Sequence, residues 1–113
     1  MSLTRRLTAT IASDRQALLE VEEDIALVQI ELEEAGSKCA LACAEAISYC
    51  YKGGTDGSIQ EEHVRSMRIS EEFRKDLRET LKDLTTQRQS IARIIEVNEQ
   101  RILNTLKSKH PHA

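Results

Sequence analysis

Cys39 and Cys43 stand four residues apart and Cys50 follows two helical turns later, so on a helix the first two thiols share a face. Deprotonated thiols are soft ligands, and a pair at this spacing supplies half of a tetrahedral zinc or copper(I) site. His63 is a candidate third ligand, because a chain folded into a hairpin places it close to residue 48. A second copy of the chain completes such a set. The same three thiols also suit a redox sensor.

Against this stands the ordinary role of cysteine as a small buried hydrophobe. The chain has neither a C-x-x-C pair nor a second thiol pair. Metal binding or thiol sensing through Cys39, Cys43 and Cys50 is therefore the alternative function. Three cysteines without framework spacing read as reduced thiols, which places the protein in the cytoplasm.

Catalytic signatures are scarce. Gly53-Gly54-Thr55-Asp56-Gly57 lacks the lysine and the preceding strand of a phosphate-binding loop. No Ser/His/Asp or Cys/His set is arguable, because the histidines fall near a turn (His63) or in the tail (His110 and His112). Carboxylates are abundant but belong to faces expected to be wet, where their acidity is hard to tune. No Glu-x-x-His motif of a di-iron bundle occurs. The chain is expected not to be an enzyme and to need no cofactor.

The elements that position these residues follow from periodicity. From Leu7 a 3.5-residue spacing lands on Leu7, Ile11, Asp14, Leu18, Val21, Ile25, Val28, Leu32, Ala35, Cys39, Ala42, Ala46 and Tyr49. Only Asp14 is out of character. A second seam passes through Met67, Ser70, Arg74, Leu77, Leu81, Leu84, Arg88, Ile91, Ile95, Asn98 and Ile102. It is clean from Leu77 onward and poor before it, where Ile69 and Phe73 are expected to take over. Residues 52–58, KGGTDGS, hold three of the four glycines and separate the two runs. Ser58 and Glu61 have the S-x-x-E form of a capping box, predicting the second helix start there.

The expected fold is all-α: a long antiparallel, coiled-coil-like helical hairpin in one domain over residues 1–113. Helix one spans about 3–51, the hinge 52–58, helix two about 59–108 and the tail 109–113. Residues whose numbers sum to about 111 should face one another. Charge agrees: residues 14–34 carry eight acids and one base, while their partner segment supplies Arg78, Lys82, Arg88 and Arg93. Arg88 falls opposite Glu22 and Glu23, and Arg88 and Asn98 are the polar residues expected to set register. Gly36-Ser37 offers an alternative, a left-handed cap that breaks helix one and yields a three-helix arrangement.

Apolar positions exceed what two helices need. Leu19, Leu27, Ile30, Leu41, Ile47, Ile69, Ile94, Val97 and Leu103 all lie beyond the seam. Such breadth is expected of helices with contacts on two sides. It predicts a second hairpin, giving a four-helix bundle by dimerisation or by docking another helical protein. The stretch Cys39–Tyr51 carries one charge, Glu45, and is the expected contact surface. The interface residues are Cys39, Leu41, Cys43, Ile47, Cys50, Tyr51, Ile69 and Phe73.

Composition bounds the rest. With 16 basic and 19 acidic residues the chain is too balanced for a nucleic-acid binder, and no apolar run is long enough to span a membrane. Arg5, Arg6, Arg101, Lys107 and Lys109 gather at the open end, where lysines suit a helix C-terminus and an acidic partner or anionic lipid could bind. The expected function is a non-catalytic helical interaction module. A small chaperone for another protein's amphipathic helix is the further alternative.

Overall fold

The computed structural model describes residues 2–109. The expectations for His110, Pro111 and His112 lie outside the described residues. Two helices, α1 (Leu3–Tyr51) and α2 (Gly57–Lys109), are joined by residues 52–56 into a hairpin, and no strand occurs among the described residues. Helix α1 is continuous through Gly36, so the three-helix alternative is overturned. One internal glycine costs only about 1 kcal/mol against alanine, too little to break a helix whose seam continues in phase. A Cβ at Gly36 meets nothing within 4 Å. Gly36→Ala should therefore raise stability by about 1 kcal/mol, read as a higher midpoint in thermal unfolding.

Chain contacts divide the hairpin into two compact units. The terminal unit takes the chain up to Ile25 and from Asp83 onward, and the hinge unit is Ala26–Lys82. In the terminal unit Leu7, Ile11, Ile25 and Ile95 are buried, together with Asn98, which is only 9% exposed. Ser2 caps α1, its Oγ accepting from the Arg5 N–H at 3.2 Å. Arg15 Nη2 meets Glu99 Oε1 at 3.1 Å across the helices. The last turn of α2 carries Lys107 and Lys109, whose charge suits the negative end of the helix dipole.

The core of the hinge unit is thinner. Only Ala35 and Leu77 are buried, and no residue from 36 to 76 is. Every position of the α1 seam is buried or half-buried, as the periodicity requires. On α2 the seam stays with half-buried Ser70 and Arg74, while Ile69 and Phe73 are exposed, correcting the expectation that they take over. The reason is geometric. An unbroken α2 fixes the phase set by Leu77 and Leu81, and turning Ile69 and Phe73 inward would need a skipped residue. Arg74 lays its stem along the seam and reaches Glu71 at 3.1 Å, which Arg78 also approaches at 3.5 Å.

Arg88 is exposed and forms no ion pair among the described residues, whereas Arg15 and Glu99 pair across the helices. An exposed ion pair contributes at most about 1 kcal/mol, so a long side chain is readily left in water. The observed register agrees with the expected one. Arg15 with Glu99, Cys43 with Met67, and Tyr49 with His63 all have numbers summing to within about three of 111.

Candidate functional site

The surface around the hinge is built from its turn outward. Helix α1 ends in a Schellman arrangement: the Gly53 N–H donates to the Cys50 carbonyl and the Gly54 N–H to the Tyr49 carbonyl, both at 3.1 Å. Gly53 sits at φ 77°, the left-handed conformation that a Cβ disfavours. Gly54 is needed for a different reason, since a Cβ there would overlap the Tyr49 ring. The Tyr49 hydroxyl then accepts from the Asp56 N–H at 2.9 Å. Asp56 caps α2, its Oδ1 accepting from the Ser58 N–H at 2.9 Å. The cap is thus Asp56, and the expected capping box on Ser58 and Glu61 is corrected by two residues. A carboxylate held in place by its own N–H bond outcompetes a serine that has already entered the helix.

Tyr49 therefore organises the turn, a role the sequence reading missed by treating it as one more seam residue. Its ring also stands 5.7 Å from that of His63 at 47°. Gly54→Ala should cost about 1–3 kcal/mol, because the methyl group displaces this ring and the Asp56 bond with it. Gly53→Ala should cost about 1 kcal/mol for its backbone alone, so chemical denaturation of the two variants separates the effects.

Beside the turn, within the hinge unit, lies an open groove of about 580 Å³. Cys43, Ile47, Cys50, Tyr51, Val64 and Met67 supply its apolar lining, and His63 and Gln60 border it. Leu41, Ile47 and Tyr51 are 60%, 61% and 91% exposed. Ile69 and Phe73 are exposed as well. The structure thus gathers Cys43, Ile47, Cys50 and Tyr51 of the expected interface about one groove.

The thiols are free, with Cys39 and Cys43 half-buried and Cys50 exposed. The Cys43 thiol donates to Met67 Sδ at 3.4 Å, a soft contact of the kind that fills a sulfur-lined surface. No group of three or more His, Cys, Asp or Glu converges as a metal site among the described residues. His63, the candidate third ligand, packs on Tyr49. Asn98 is buried in the terminal unit, whereas Arg88 is exposed. No helix among the described residues is long and apolar enough to cross a membrane.

Comparison with protein-family models, with curated proteins and with solved structures found no match to this chain.

Proposed function

We propose that this chain is a non-catalytic assembly module that acts by packing its hinge-proximal helix surface against a further layer of helices, supplied by a second copy. One observation carries the reading. Cys39–Tyr51 has a single charge, Glu45, yet none of its residues is buried. A helix segment apolar on all sides belongs in an interior, and the hairpin alone gives it one neighbour.

Area supports the same conclusion. The chain exposes 8645 Å², whereas a compact monomer of its mass exposes about 6,300 Å². Removing the surplus from two copies would bury roughly 4,700 Å² in all, within the range of obligate homodimers. All nine apolar residues that lie beyond the seam are exposed, so the material for such an interface is present. The resulting arrangement is a four-helix bundle, with apolar side chains giving affinity and flanking charges giving orientation.

Light scattering with circular dichroism tests this on the purified chain. A helical species at twice the mass of the chain is expected at micromolar concentration. A helical species that keeps the mass of one chain up to high concentration would contradict it.

A further inference from the structure

We infer that two copies meet hinge unit to hinge unit through the groove, antiparallel, about a two-fold axis crossing both helices at the level of Ile47 and Val64. The inference rests on the assembly reading above and fixes how the hinge units meet.

The groove has two unlike walls. On α1 the spacing of 36, 40, 43, 47 and 50 puts Gly36, Ala40, Cys43, Ile47 and Cys50 on one stripe, which carries no charge. Cys43, Ile47 and Cys50 of that stripe line the groove. On α2 the stripe is Glu61, Val64 and Arg68, which borders a second depression sharing Gln60 and Val64 with the groove. Glu61 and Arg68 are exposed, and neither forms an ion pair among the described residues. Glu71, the next charge along this stripe, is already held by Arg74 at 3.1 Å and Arg78 at 3.5 Å.

A two-fold, face-to-face pair of hairpins has two choices of axis. An axis along the helices lays α1 on the partner's α2, covering Glu61 and Arg68 with a stripe that offers them no charge. An axis across the helices lays each helix antiparallel on its own counterpart. The uncharged stripe then packs on itself around Ile47. On α2, Glu61 meets the partner's Arg68 twice, once on either side of Val64.

Both stripes place the axis at the same level. In the hinge unit Cys43 stands beside Met67 and Tyr49 beside His63, so the midpoint of Glu61 and Arg68 is level with that of Cys43 and Cys50. The axis that pairs Glu61 with Arg68 therefore also brings Cys43 of one copy to Cys50 of the other.

The native thiols report this orientation. With Cys39→Ser in the chain, Cys43 and Cys50 are the two that remain. Seven residues of helix hold their Cα atoms about 10 Å apart within one chain, beyond the roughly 7 Å that a disulfide can span. A Cys43–Cys50 bond must then join two copies. Oxidised glutathione should give a covalent dimer in which peptide mapping, after cleavage at Glu45, finds that bond. Cys50–Cys50 bonds, an equal mixture of all pairings, or a dimer by light scattering that forms no bond would overturn the orientation and leave the assembly reading standing. A chain that stays monomeric by light scattering defeats the assembly reading itself.

Charge exchange gives a second readout without oxidation. Glu61→Lys and Arg68→Glu should each weaken the dimer about tenfold, since both facing pairs become like-charged. Mixed in equal amounts, the two variants should pair with one another, because both contacts are then opposite in sign. Sedimentation velocity should find the mixed dimer about as tight as that of the unsubstituted chain. Mixed association no tighter than that of either variant alone would overturn the arrangement.

Discussion

Ile47→Glu should abolish self-association while leaving helix content near that of the unsubstituted chain. Ile47 is exposed in the hairpin and borders the groove, so a glutamate there meets water and costs the single chain little. In the assembled form the same carboxylate would be enclosed by Val64, Cys50 and the apolar side chains of the partner. Burying an unpaired charge costs several kcal/mol, and a two-fold interface repeats the cost. The dissociation constant should rise by at least about 100-fold, measured by sedimentation velocity with circular dichroism as the control. Loss of helix in step with loss of association would show that the hairpin depends on its partner to fold. Unchanged association would remove Ile47 from the interface.

The second large effect concerns the core of a single hairpin. Ile25→Ala should cost about 2–5 kcal/mol, because it empties one of very few buried positions and long helices cannot close the gap. Arg93 lies in the same unit but is exposed and is not one of the apolar residues argued to meet the partner. Arg93→Ala should stay within about 0.5 kcal/mol. Urea unfolding of both variants at one protein concentration makes the comparison. Equal losses would mean that burial in the lone hairpin does not describe where its stability comes from.

Most of the fold was legible in the sequence because a long helix has one free parameter, its phase. Leu7 and Ile11 set that phase for α1, and every later seam residue through Tyr49 followed it, including the small Ala42 and Ala46. The same rigidity defeated the local reading of α2 near the turn. Hydrophobicity favoured Ile69 and Phe73, but Leu77 and Leu81 had already fixed the phase, leaving Ser70 and Arg74 inside. Their exposure is what places two more large apolar side chains on the outer surface of the hinge unit.

The turn was legible as a location and not as a mechanism. Three glycines marked it, yet only the backbone shows that Gly53 needs a positive φ and that Gly54 makes room for the Tyr49 ring. Asp56 and Ser58 are both good caps in sequence, and the Tyr49 hydroxyl bond to the Asp56 N–H decides between them. The groove beside the turn needed the fold as well, because the register brings Cys43, Ile47 and Val64 to neighbouring levels but does not show that they line an open surface.

Hydrogen exchange at the backbone amides of Cys39–Tyr51, followed as protein concentration is raised, tests the central claim most directly. In a lone hairpin this stretch has no buried residue to hold it closed, so its amides should exchange among the fastest of the helical ones. Once a second layer of helices covers it, protection should rise with concentration and become comparable to that around Ile25 and Ile95. Protection in Cys39–Tyr51 that stays low and unchanged over a hundredfold range of concentration would contradict the account.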